Sequence, residues 1–268
     1  MKTLRFACLL LLPVWCALFL SSCGLFSHES VEVEHVSDSV GYAEAGKPVV
    51  SALLEVDYPS GGDPLMVRGV KQWMGGLLGL TDTTAMAGAE QFVEAFYKQN
   101  EPGKEMLKNF PAGYQYNLTV KKVDETAAYV TFLITTHTRS GAEEMTMHTG
   151  ATFVKPTAKI FGYEMFVADR PRSLAVLVMN GLCKTLDAED FNTLTRYIDA
   201  SCFSPLDNGV NKLPQAAPWI EGDDVVFQYA ADELRCDSIA LPQARVPLAQ
   251  AKEFFSPSFV RALEEANK

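Results

Sequence analysis

Hydrophobic and polar positions along the chain follow several distinct rhythms. Residues 31–36 (VEVEHV) alternate, and residues 49–58 (VVSALLEVDY) are more densely apolar; each predicts a β-strand, the second partly buried. Residues 59–63 (PSGGD) predict a turn. Over 64–79, Met66, Val70, Trp73 and Leu77 recur at helical spacing, although Gly75 and Gly76 weaken a helix there. Thr83 or Thr84 can cap a helix to about residue 99, with Phe92, Val93, Phe96 and Tyr97 on one face. The clearest strands are 113–123, 127–139 and 144–154. With turns at 124–126 and 140–143 they predict an antiparallel meander. A helix follows from Pro171 to about 186. Asp187 is a candidate cap for another, with Phe191, Leu194 and Ile198 inward. After a turn-rich loop at 204–218, residues 219–229 predict a hairpin turning at 221–224. A strand at 244–248 and helices near 249–255 and 257–266 close the chain. Strands and helices without regular alternation predict an α+β fold: an antiparallel sheet meander with helices packed on it.

The first thirty residues follow a different rule. Lys2 and Arg5 precede an apolar run from Leu9 to Leu20, which ends in Leu20-Ser21-Ser22-Cys23. This is the layout of a secretory signal peptide, and the run is short for a helix spanning a bilayer. The last four residues resemble the lipobox of bacterial lipoproteins. That resemblance implies cleavage before Cys23 and lipid on its thiol and amino group. Three acyl chains would hold the protein on a membrane. Gly24 is compatible with an outer-membrane address. The organisation expected is a signal at 1–22, a lipidated tether at 23–30, and two parts of one α+β domain at 31–154 and 155–268.

Charge narrows the partners. Without Lys2 and Arg5 the chain keeps 21 bases against 33 acids, a balance of −12. Such an acidic surface argues against nucleic acid and against anionic lipid headgroups, and permits a basic partner. Cys183, Cys202 and Cys236 remain besides Cys23. Cys183 lies among apolar residues and reads as buried. Cys202 and Cys236 flank loops and can pair as a disulfide in an oxidising compartment. No cysteine spacing suits zinc. No nucleophile elbow, HExxH, P-loop or Rossmann glycine pattern occurs, so no cofactor and no catalytic residue is expected.

The best-specified local surface is the hairpin at 127–154. If Arg139 opposes Glu144, opposed residue numbers sum to 283. Val130, Phe132 and Ile134 then share an apolar face with Phe153, Ala151 and Thr149. On the other face His137 opposes Thr146 and His148 opposes Thr135. With Arg139 and Glu144 they form a polar patch, readable as a recognition surface, a weak metal site or an ordinary solvated face. Two diagonal imidazoles lack the further close ligands a metal needs.

The SGAE turn at 140–143 followed by MTMHTGATFV, the stretch FGYEMFVADRPRSLAVLVMNGL at 161–182, and VVFQYAADELRC followed by ARVPLAQAKEFF resemble, in that order, the RsiV-like family. The family name comes from a lysozyme-sensing anti-sigma factor; related domains stand alone in lipoproteins. The resemblance spans about residues 49–256. It implies an α+β fold and extracytoplasmic binding rather than catalysis. Ser140 stands where the family often has Gly, and Glu143 where it has His, so a function of that histidine is not carried over. Nor is sigma-factor regulation or deacetylation. The function expected is a binding module for an envelope-associated protein, lysozyme-like and basic, or for a glycan. An enzyme acting on peptidoglycan or carbohydrate would need two converging carboxylates, and no pair is indicated. A structural component of the outer envelope is the third alternative.

Overall fold

The computed structural model describes residues 29–44, 46–78, 88–100, 113–155, 157–194, 197, 213–234 and 242–265. Its larger sheet runs in the order β1 (Glu32–Glu44), β2 (Lys47–Gly61), β3 (Tyr114–Glu125), β4 (Tyr129–Ser140), β5 (Glu143–Val154), β6 (Lys159–Ile160). Neighbours are antiparallel except β2 and β3, which are parallel. A parallel pair needs a crossover connection. Helices α1 (Pro64–Leu77) and α2 (Ala89–Asn100) lie in it. The expected meander β3-β4-β5 is present, as part of this mixed sheet.

Local chemistry explains the element ends. Strand β2 extends through most of the expected PSGGD turn, leaving Gly62 at φ 103° to reverse the chain. Asp63 then caps α1, its Oδ1 accepting from the Leu65 amide at 2.8 Å, with Pro64 in the first turn. Gly75 and Gly76 do not end this helix. Met66, Val70 and Met74 are fully buried, and their packing outweighs the poor propensity of two glycines. These residues join Phe92 and Phe96 of α2 against Leu54, Val56, Phe132 and Phe153 of the sheet. Trp73 sits 5.5 Å from the Phe153 ring, edge-on.

A second sheet holds β7 (Trp219–Glu221), β8 (Asp224–Gln228) and β9 (Gln243–Pro247), all antiparallel. One face of it, Ile220, Val225, Phe227, Ala244 and Val246, packs on α3 (Pro171–Thr185) and on the C-terminal helix Pro257–Glu265. Gly181 lets α3 approach β9: a Cβ there would lie 2.7 Å from the Arg245 carbonyl oxygen. Tyr129 and Val154 of the larger sheet also reach this core.

Asp187 is not the helix cap expected of it. It adopts φ 52° just past the end of α3. The Ala188 amide donates to Cys183 O at 2.8 Å and the Asp187 amide to Lys184 O at 3.3 Å. That is the Schellman arrangement, with aspartate tolerating the left-handed position. Capping of the short helix α4 (Phe191–Leu194) falls to Asp190, which accepts from the amide and hydroxyl of Thr193. Ile198 lies outside the described residues.

Candidate recognition surface

The β4–β5 hairpin turns at Gly141 and Ala142, with Gly141 at φ 63°. A two-residue loop with glycine first at positive φ is the pattern of a type II′ turn. The ladder has the expected register throughout, Arg139 opposite Glu144 and Tyr129 opposite Val154. Phe132, Ile134 and Phe153 are buried on the apolar face, as expected.

On the opposite face the polar side chains interact in pairs. Thr146 Oγ1 lies 3.1 Å from His137 Nδ1, and Glu144 Oε1 lies 3.3 Å from His137 Nε2. A neutral imidazole protonated on Nε2 satisfies both, donating to the carboxylate and accepting from the hydroxyl. His148 Nδ1 is 3.0 Å from Thr135 Oγ1. Arg139 and Glu144 are backbone partners, but Glu144 turns toward His137 while Arg139 Nε donates to Gly141 O at 3.4 Å. Strand β3 widens the face, placing Asn117 beside His137 and Gln115 beside Arg139. His137 and Glu144 keep side-chain exposures of 25% and 61%, so the pair faces solvent.

The face is not solvated along its whole length. Beyond His148 the second sheet covers it. Thr131 and Thr152 are fully buried and share a 2.8 Å hydrogen bond. The Ile220 amide donates to Thr152 Oγ1 at 2.8 Å, and Gln243 Nε2 donates to His148 O at 3.2 Å. What remains is a polar shelf, floored by β3–β5, walled by β7–β9 and open toward the hairpin tip.

Glu221 and Asp224 flank the hairpin turn expected at 221–224. Glu221 accepts from Trp219 Nε1 at 3.1 Å and from Arg245 at 3.0 Å, and Asp224 lies 3.8 Å from the same guanidinium. Cys183 is buried, as its apolar neighbours predict. Cys23, Cys202 and Cys236, with the lipidation and disulfide assigned to them, lie outside the described residues. Among the described residues no group of three histidine, cysteine or acidic side chains gathers as metal ligands. A cleft of about 450 Å³ between α3 and β9 is lined by Lys184, Glu189, Asp190 and Arg245. Its charges are partly committed: Asp190 is tied to Thr193, and Arg245 to Glu221.

A further polar cluster gathers at the predicted turn 124–126. Glu125 accepts from Lys155 Nζ at 2.6 Å, Lys122 Nζ at 3.0 Å, Ser30 Oγ at 2.7 Å and the Val31 amide at 2.8 Å. Burial works to raise its pKa, but these four donors outweigh it and hold the carboxyl down at about 2. Nothing in the local pattern marks such a site, because its partners lie as many as 95 residues away.

The architecture has solved counterparts. A DUF3298 family member from Bacteroides fragilis superposes with a TM-score of 0.66 at 12% identity, over 88% of this chain and 99% of its own. The fold is that of the DUF3298 proteins. A DUF3298 family protein from Pseudomonas aeruginosa gives a TM-score of 0.57 at 12% identity, over 86% of this chain and 96% of its own. At 12% identity both likenesses concern the fold, which is α+β as the sequence predicts. No protein-family model matches the chain, and no curated protein sequence does.

Proposed function

We propose that this chain is a lipid-anchored protein of the cell envelope, held in the outer membrane through Cys23, whose folded part binds a partner without catalysing a reaction. The observation that carries the binding reading is the polar shelf. His137 is braced by Glu144 and Thr146, and His148 by Thr135, on rigid paired strands rather than loops. Side chains already fixed by neighbours lose little further freedom on binding. The partner class follows from charge. With 33 acids against 21 bases after the signal, the surface favours a basic envelope-associated protein, for which a lysozyme-like enzyme is the first choice, with a glycan second. The test is calorimetry of residues 24–268 against a basic lysozyme and against soluble peptidoglycan fragments. Saturable binding of either supports the reading. Binding no tighter than that of an unrelated ectodomain of equal acidity overturns it.

A further inference from the structure

The start of the folded chain is fastened to one end of the larger sheet. Glu125 accepts from Ser30 Oγ and from the Val31 amide, and Lys122 Nζ donates to the Val31 carbonyl at 2.7 Å. Val31 is fully buried, and Gly62 packs against the Ser30 carbonyl so closely that a Cβ would lie 2.3 Å from it. Both polar groups of residue 31 and the side chain of residue 30 are therefore held.

Several exposed apolar side chains sit at this same end. Leu65, in the first turn of α1 just past Gly62, is 59% exposed; Val123, in a bulge of β3 beside Lys122, is 44% exposed; Ile160 of β6 is 38% exposed. The registers align them. Glu125 pairs with Val130, Val130 with Phe153, and Phe153 with Ile160, while Gly61 at the end of β2 pairs with Glu32. Exposed Lys159 precedes Ile160. The hairpin tip at Gly141 is at the other end, ten residues of β4 beyond Val130. At about 3.3 Å per residue that is roughly 33 Å.

We infer that the sheet end carrying Ser30, Leu65, Val123 and Ile160 is the face this domain sets against the lipid surface, with the polar shelf and the Gly141 tip held away from it. The inference rests on the lipid anchor at Cys23. Ser30 lies seven positions beyond Cys23, a span of at most roughly 25 Å, so the clamp keeps this end near the acyl chains. Apolar side chains that are exposed in water gain by entering the headgroup boundary.

The test uses the full chain, lipidated in a bacterial host and reconstituted into phosphatidylethanolamine–phosphatidylglycerol vesicles with acceptor-labelled headgroups. A fluorescent amino acid is placed at Thr157 or at Ala142, and energy transfer to the acceptors is read. Transfer from position 157 should be several-fold stronger than from 142. Replacing Leu65, Val123 and Ile160 together by serine should reduce that ratio without changing the melting temperature. Equal transfer from both positions, or a ratio unmoved by the triple variant, overturns the assigned face while leaving the anchor intact. Failure of the chain to join vesicles at all overturns the anchor and this inference with it.

Discussion

Trp219 occupies the space that a side chain on Gly150 would need: a Cβ built on Gly150 would meet the indole at 2.4 Å. Gly150 lies in β5, on the polar face, and Trp219 opens β7, so this one contact sets how closely the second sheet lies on the first. Gly150→Ala should cost on the order of 1–3 kcal/mol by overpacking, since the indole is nearly wholly buried and cannot swing aside. Trp219→Ala should cost about 3–5 kcal/mol. In the double variant the alanine at 150 meets no ring and its penalty should vanish. Urea unfolding of the four proteins measures the coupling. Simple additivity would show that the contact does not set the spacing.

Phe132 tests the apolar side of the same hairpin. It is fully buried, with the rings of Trp73 at 6.1 Å and Phe153 at 6.2 Å. Phe132→Ala should lower unfolding free energy by about 3–5 kcal/mol. A loss under about 1 kcal/mol, typical of surface sites, would mean that the site is not core.

How far the sequence discloses this molecule depends on the range of the cause. The β4–β5 register follows from alternation and a glycine turn, both local, and it is legible to the residue. The parallel pairing of β2 with β3 is not, because it depends on where the chain goes after two helices. Asp187 and Asp190 show a similar limit. Both are plausible caps, and only the backbone at the end of α3 decides that Asp187 takes the left-handed position. Gly150 did carry a signal, since an isolated glycine inside a strand marks close backbone approach. The sequence could not say what approaches. For that reason the cover that the second sheet lays over Thr131 and Thr152 was not legible in the sequence.

The Glu125 clamp gives the fold an acid-sensitive element. Its folded pKa, about 2, lies below the ordinary 4.5. The carboxylate's stabilisation is thus fully present above about pH 4.5 and is lost as pH falls toward 2. Glu125→Gln should remove that acid limb from the stability profile. At neutral pH it should cost about 3–5 kcal/mol, because buried Lys155 loses its carboxylate partner. Denaturant midpoints between pH 2 and pH 7 measure both effects. Parallel profiles for the two proteins would show that Glu125 does not supply the acid dependence.

Retention by lipid is tested separately from folding. Metabolic labelling with a palmitate analogue should mark the wild-type chain and leave Cys23→Ala unmarked, with the variant released from the membrane fraction. Equal labelling of the variant would move the anchor elsewhere in the chain.

The shelf predicts a particular response of partner binding to salt and to mutation. If a basic lysozyme-like protein docks there, attraction by the net acidic surface should speed association at low salt. Affinity should fall as exposed charges are screened beyond about 8 Å at physiological ionic strength. Nonspecific attraction has the same salt trend, so salt alone does not decide. Substituting His148→Ala together with Glu144→Ala deletes the Thr135 and His137 contacts and changes the net charge by one carboxylate. In a specific complex the double variant should bind at least about tenfold more weakly, the equivalent of 1.4 kcal/mol. Its salt slope should hardly change, because nearly all of the acidic surface remains. Loss of the slope with affinity intact would point to diffuse charge rather than the shelf. Unaltered affinity and slope together would place the contact elsewhere on the chain.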